Sequence, residues 1–289
     1  MKFNQDIFAV IVLYKTKLSD SKTFLSLTRS LIVNNSKLDL LVYDNSPEYN
    51  VECKFEYPEW NITYMPDINN GGVSKAYNIG TDIATKDKKK WIIIFDQDTT
   101  FPENTISVYT QAIIDYPHCK LFSPIMLIAN NKIISPCKFK FMRGISLNDI
   151  KPGYNTLSNL SVINCGMCID INSFKKNGGY NERIKLDFSD HDFIKRLKHV
   201  VTKEFVVLDL KVYHELSTAN KNSFKSDLIR FDYYLSGSRN MSASFIERFL
   251  LKINGLFRAT KLCFKHKNIS FGKYFLNHLF KKAAKGEII

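Results

Sequence analysis

Short apolar runs alternate along the chain with longer stretches in which apolar residues recur every three or four positions. The runs at 7–13, 38–43, 62–65 and 90–95 have the length of strands, and those that lack polar alternation suit strands covered on both faces. Between the first two, Phe24, Leu25, Leu27, Leu31 and Ile32 fall on one helical stripe; residues 73–84 repeat that spacing after Asn69-Asn70-Gly71-Gly72. Pro102 and Glu103 open a further helix with Val108, Ala112 and Ile113 inward. This alternation predicts a parallel α/β sheet. Beyond residue 121, β-like pieces at 125–128, 133–134, 138–141 and 160–171 predict a mixed, partly antiparallel second half. Residues 187–198 read as a helix, 205–208 and 210–213 as strands, and the chain from 224 onward as helical.

The run that starts at Trp91 stops on Asp96-Gln97-Asp98. Ligands of open α/β sheets gather at the C-terminal ends of strands, and two carboxylates there can hold a hard divalent cation that bridges substrate phosphates. Taken alone, a D-x-D reads more readily as a solvated turn. Gly71-Gly72 permits a tight turn and a close backbone approach to a ligand. Asp190 and Asp192 lie in the first turn of a helix, where acids are also favoured for purely local reasons.

With 289 residues, 45% hydrophobic and 24% charged, the chain has room for one large domain and an appendage. Its formal net charge of +13 is uneven: from Ser217 to Ile289 fourteen Lys and Arg face four acids. That implies an anionic partner, nucleic acid or an acidic membrane surface. On a helical wheel from Phe245, residues 245, 246, 249, 250, 253, 256, 257 and 264 form an apolar arc, and Arg248, Lys252, Arg258, Lys261 and Lys265 a basic one. Phosphate-tracking surfaces need no apolar face, so the expected partner is an anionic membrane and not nucleic acid.

The six cysteines, at 53, 119, 137, 165, 168 and 263, show no disulfide framework and read as reduced thiols of a cytoplasmic protein. Cys165 and Cys168 form a C-x-x-C without a second pair, which favours buried strand residues over a zinc site. The first apolar run lacks a cleavage site and reads as a strand rather than a signal peptide; no run of 18 apolar residues is present.

Several of these segments together resemble the inverting glycosyltransferases of family 2, most nearly their bacterial rhamnosyltransferase-like branch. Val12-Leu13-Tyr14 resembles the family's V-x-Y, Asp44-Asn45-Ser46 its D-N-x-S, and Asn70-Gly71-Gly72 with Ala76-Tyr77-Asn78-Ile79-Gly80 its N-x-G and A-x-N-x-G. Asp96-Gln97-Asp98-Thr99 resembles D-Q-D-S/T, Gly178-Gly179-Tyr180-Asn181-Glu182 resembles G-G-F-D-E, and the segment from Asp187 to Arg196 resembles D-x-x-D-x-E-W-x-x-R. His214 follows as the late histidine. The matches run in family order over roughly residues 7–240. Many relatives carry Arg in place of Tyr77, Glu in place of Ser189 and Trp in place of Phe193.

The resemblance implies a GT-A nucleotide-diphospho-sugar transferase fold over residues 1–216, followed by a basic, membrane-associating helical segment over 217–289. It implies a nucleotide-diphosphate sugar donor, L-rhamnose on deoxythymidine diphosphate or else galactose or N-acetylhexosamine on uridine diphosphate, together with Mn²⁺ or Mg²⁺. A lipid-linked glycan acceptor at the inner face of the bacterial plasma membrane follows from the same likeness. Asp98 is the expected metal ligand, with His214 completing the metal or diphosphate site. Tyr14 would stack on the base, Asp44 would bind it, Lys75 and Asn78 would meet phosphate at the helix entry, and Asp96 would face the ribose or a metal-bound water. Asp190 is the expected catalytic base, Asp192 a support or acceptor contact, and Gly166 a place for close approach of the acceptor.

Overall fold

The structure, a computed structural model, describes residues 3–48, 56–215 and 223–280. In chain order its strands and helices are β1 (Ile7–Leu13), α1 (Lys22–Val33), β2 (Leu38–Asp44), β3 (Trp60–Pro66), α2 (Val73–Lys86), β4 (Trp91–Phe95), β5 (Thr99–Thr100) and α3 (Thr105–Asp115). There follow β6 (Leu121–Ile128), β7 (Lys132–Lys140), β8 (Arg143–Leu147), β9 (Gly153–Thr156), β10 (Leu160–Ser161), β11 (Met167–Asp170), α4 (Ile171–Lys176), α5 (Ser189–Val200) and β12 (Glu204–His214). Three helices close the description: α6 (Phe224–Asn240), α7 (Phe245–His266) and α8 (Ser270–Phe280).

One mixed sheet runs in the order β10-β7-β6-β11-β4-β1-β2-β3, with β12 beside β6. β3, β2, β1 and β4 are mutually parallel, whereas β11 is antiparallel to both β4 and β6. Successive residues of β1 and β4 point to opposite faces, and both faces are covered. Ile7, Ala9, Ile11, Ile93 and Phe95 join one core with α1 and α3, while Phe8, Val10, Val12, Ile92 and Ile94 join the other with α2, α4 and α5. That double coverage accounts for runs without polar alternation.

The expected elements are present with shifted bounds. The helix expected at Pro102 starts at Thr105, the run at 160–171 is split into β10 and β11, and the two pieces at 205–213 are one strand whose register shifts between Val207 and Lys211. Gly166 therefore lies in the turn before β11 with φ +80, not within a strand.

α6, α7 and α8 share a core of Phe231, Leu235, Ala259, Phe271 and Phe275. A second cluster, Met142, Ile184, Met241 and Leu251, joins α7 to the sheet-bearing part. The expected boundary at 216/217 lies outside the described residues, as does Cys53. α7 begins on a capping box in which Ser244 and Glu247 satisfy each other's main-chain donors, and Glu247 is paired with Lys195 of α5 at 2.6 Å. Its apolar arc is turned to solvent: Phe245 is 90% exposed, Phe249 60% and Phe264 76%. Arg258, Lys261 and Lys265 line a cleft beside α5, with Arg258 half-buried in it and Lys261 and Lys265 at its exposed rim. Among the described residues no helix is long and apolar enough to cross a membrane.

Candidate active site

Two hollows open at the C-terminal ends of the parallel strands. The first, about 750 Å³, lies beyond β1 and β2 and is lined by Lys15, Asp44, Ser46 and Tyr64. The second, about 1010 Å³, is bordered by Asp96, Asn164, Asp190 and the cations of α7. The D-Q-D loop lies at the end of β4 and is fastened from below. Gln97 accepts from the Tyr14 N–H at 2.8 Å and donates back to the Tyr14 carbonyl at 3.3 Å, and its own carbonyl accepts from the Ser21 hydroxyl at 2.9 Å. The Asp96 N–H donates to Cys165 Sγ at 3.3 Å.

The pairing of β5 with the end of β12 sets Thr99 opposite His214. That two-residue ladder brings His214 Nδ1 to 3.4 Å from Asp98 Oδ1 and to 2.8 Å from Thr99 Oγ1. Burial raises the Asp98 carboxyl against the pull of His214. Asp96 takes a 3.3 Å hydrogen bond from the Tyr77 hydroxyl, and Tyr77 is fully buried. Burial pushes the Asp96 carboxyl up to about 6, with Asp98 and Asp190 adding to the shift and His214 opposing it. A guanidinium at position 77 would hold that carboxyl down by its charge; the neutral phenol does so only weakly.

Among the described residues no three acidic, His or Cys side chains converge as a metal shell. Asp98 and His214 nonetheless suit a Mn²⁺-type cation that takes its remaining ligands from phosphate oxygens and water, since such ions commonly bind through one or two protein groups plus a substrate.

Asp44 is buried, accepts from the Tyr64 hydroxyl at 2.6 Å and the Ser46 N–H at 2.9 Å, and borders the first hollow. Tyr14 is 43% exposed with Lys15 over its ring, so a face of the ring is open for stacking. Asp190 borders the second hollow; its Oδ1 accepts from the His191 N–H at 2.7 Å, and among the described residues it has no cationic partner.

Four expected roles do not match the geometry. Lys75 is committed to Asp67 at 2.8 Å. Asp67 also accepts from Tyr43, Asn69 and Gly71, and its carboxyl is lowered to about 2 because the Lys75 and Tyr43 hydrogen bonds outweigh burial. Asn78 uses its amide on Tyr180 and Glu182, clamping the turn after Gly178-Gly179 against α2. Asp192 is 0% exposed and points away from the cleft, holding Arg196 at 2.9 Å and the Ser242 N–H at 2.7 Å. Arg196 in turn donates to the carbonyls of Asn177 and Gly179. Gly166 is enclosed: a Cβ there would sit 2.7 Å from Pro124 and 3.1 Å from the Tyr109 hydroxyl, so its free side faces protein and not an acceptor. Gly72 likewise approaches the backbone of Lys185 rather than a ligand.

The cleft also holds Asn164, which lies outside the motifs, and Asp187, which opens one of them. Buried Asn164 accepts from the Tyr180 hydroxyl at 2.8 Å and donates to Ser189, and Asp187 pairs with Arg230 of α6 at 3.3 Å. Gln97 is the middle residue of D-Q-D, and Arg258, Lys261 and Lys265 fall on one side of the α7 wheel.

Residues 10–136 match the family profile described as Glycosyl transferase family 2. The dTDP-rhamnosyl transferase RfbF of Shigella flexneri is 23% identical over 214 residues, 74% of this chain and 70% of that one. Among solved structures, S. aureus TarS superposes with a TM-score of 0.53 at 14% identity over 96% of this chain, which spans 44% of that longer chain. The 1–349 portion of TarS in complex with UDP gives 0.53 at 17% identity, covering 96% of this chain and 72% of that one. GalNAc-T7 with UDP, GalNAc and Mn²⁺ gives 0.52 at 12% identity, covering 94% and 56%. The fold is thus the one shared with TarS and GalNAc-T7, and residues 10–136, which carry the D-Q-D loop, are similar to glycosyl transferase family 2.

Proposed function

We propose that the chain transfers a sugar from a nucleotide-diphosphate donor, with inversion, to a hydroxyl of a lipid-linked glycan, in the building of bacterial surface polysaccharide such as O-antigen or capsule. The observation that carries this reading is the carboxylate of Asp190, without a cationic partner among the described residues, on the same cleft as Asp96, at the strand ends where the D-Q-D loop is anchored. An inverting transfer needs a base on the acceptor side and charge compensation on the donor side. Asp190 takes the proton of the acceptor hydroxyl as its oxygen bonds to the anomeric carbon, and the nucleoside diphosphate leaves. Asp98 and His214 would hold a divalent cation, which supplies charge to offset that of the departing diphosphate. Asp44 borders the hollow that would take the nucleoside end, Tyr14 follows β1 next to it, and Gln97 ties the Tyr14 main chain to the D-Q-D loop.

L-rhamnose on deoxythymidine diphosphate is the proposed donor, supported by the likeness to a dTDP-rhamnosyl transferase. The solvent-facing apolar arc of α7 supports peripheral attachment to an anionic membrane at its cytoplasmic face, where a lipid-linked acceptor would be met. A ligand that binds the native state raises its stability in proportion to occupancy, so a thermal-shift panel of dTDP-rhamnose, UDP-galactose and UDP-N-acetylglucosamine, each with and without Mn²⁺, tests the donor. The largest shift is expected with dTDP-rhamnose and Mn²⁺. A larger shift with a UDP-sugar, as TarS in complex with UDP-GlcNAc would suggest, moves the donor to that class.

A further inference from the structure

The second hollow has an asymmetric charge distribution. Its acids have partners on the α6–α7 side: Asp187 is paired with Arg230, and Asp227 with Lys265 at 2.6 Å and His266 at 2.7 Å. Its cations are in excess. Arg258 sits over the Tyr234 ring, 4.2 Å from its centroid, and among the described residues none of its N–H donors meets an acceptor. Lys261, one turn further along α7, and Arg143, at the start of β8 on the opposite wall, have no ion pair among the described residues either. Partial burial of a guanidinium without an acceptor is costly unless something anionic meets it. Burial indeed lowers the Arg258 group from its usual range, against the nearby charge of Asp187. The Tyr234 ring holds the guanidinium in place, and a planar fork of donors suits the tetrahedral oxygens of phosphate better than a point charge does.

The position relative to the reacting groups matters as much as the charge. The cleft that holds Arg258 and Lys261 also holds Asp190 and Asp96, so an anion on these cations would lie beside the hydroxyl that Asp190 deprotonates. At the outer edge of the same wall stands Phe257, 62% exposed, which leads to the apolar arc of Phe249 and Phe264 on the neighbouring side of α7.

We infer that Arg258, Lys261 and Arg143 form an acceptor-side phosphate site, which holds the phosphate or diphosphate of the acceptor while its sugar hydroxyl reaches Asp190. This rests on the transferase reading above and extends it: the acceptor is recognised by its anionic linkage as well as by its sugar. Phosphate oxygens there receive hydrogen bonds from Arg258 and Arg143 and the charge of Lys261; a hydrocarbon chain attached to them would leave over Phe257.

The test uses the full chain with its donor site saturated by nucleoside diphosphate, so that the donor diphosphate position is filled. Calorimetric titration with inorganic pyrophosphate should then show binding at a second site. Arg258→Gln and, because Arg258 packs on Tyr234, the solvent-facing Lys261→Gln as a separate variant should each weaken that binding, Arg258→Gln by about tenfold, with affinity for the nucleoside diphosphate unchanged. Octyl diphosphate binding tighter than pyrophosphate would place the phosphate on a lipid; equal binding would place it on a water-soluble acceptor. Absence of pyrophosphate binding by the nucleotide-saturated chain would overturn the inference. So would substitutions that weaken the nucleoside diphosphate instead, since the cations would then serve the donor. Failure of the rhamnose reading is separable: saturation would be reached with UDP and not dTDP, and the pyrophosphate titration would proceed in UDP.

Discussion

Asp98 and His214 are 116 positions apart in sequence and meet only because Thr99 and Thr100 pair with the end of β12. Replacing Asp98 by Asn keeps the shape but removes the charge that attracts a cation. Loss of even outer-shell partners of metal ligands costs about 10- to 100-fold in affinity, so Asp98→Asn should remove at least that much of any Mn²⁺ enhancement of nucleoside-diphosphate binding. Calorimetry with and without Mn²⁺ reads this directly, and equal enhancement in both proteins would reject Asp98 as a ligand. Asp67 predicts a different signature. Its carboxyl is depressed in the folded state to about 2, so its contribution to stability is fully present above the ordinary carboxylate range and is lost as pH falls toward 2. The difference in unfolding free energy between the wild type and Asp67→Asn should therefore be largest near neutrality and shrink between pH 4 and about 2. A difference that grows on acidification would contradict the assignment. At this scale the motifs point to Asp44, Asp96 and Asp190, at strand and helix ends that border hollows. Lys75, Asn78 and Asp192 instead bond neighbouring segments, because a polar side chain at a helix start can serve a ligand or a neighbouring main chain, and only the packing of distant segments decides which.

The four parallel strands and the helices that cover them were legible as elements, since burial on both faces leaves an unmistakable apolar run. The second half was less so. β11 enters between β4 and β6 from the opposite direction, a pairing that depends on contacts between 46 and 79 residues apart and has no local signature. α5 is the element on which most depends: its Asp192 and Arg196 tie it to the turn after α4 and to the segment that leads into α7. Removing one partner of a buried charge pair typically costs about 3–5 kcal/mol, so Asp192→Ala should lower unfolding stability by about that amount in denaturant titration. Nucleotide affinity should persist at temperatures where the variant is folded; a selective loss of acceptor affinity without loss of stability would restore Asp192 to the acceptor site. α7 was legible as an amphipathic helix, but the wheel could not say which arc faced inward. Deleting the C-terminal helices would uncover Met142 and Ile184, which pack on Met241 and Leu251, so point substitutions are the cleaner probe of membrane attachment. Phe249→Ser with Phe264→Ser removes two solvent-facing rings, each worth about 1.5–3 kcal/mol when fully buried in an apolar phase. Sedimentation with anionic vesicles at high salt should show at least tenfold weaker binding, and undiminished binding would reject the apolar arc as the contact.

As a whole the molecule places a hollow of about 750 Å³, a D-Q-D loop and a cation-walled cleft along one edge of a single sheet. The net charge of +13 is partly drawn into that cleft, where it can meet an anionic acceptor, and partly left outside. The central claim is that Asp190 is the base of a glycosyl transfer, and single-turnover transfer from the donor to a native acceptor by Asp190→Asn tests it most directly. The amide is nearly isosteric and leaves the donor side untouched, so donor affinity, measured separately, should match the wild type. The transfer rate should fall by about 10²- to 10⁴-fold, the usual cost of losing a general base. A variant that binds donor normally and transfers at the wild-type rate would contradict the account and move the base to another group on the cleft.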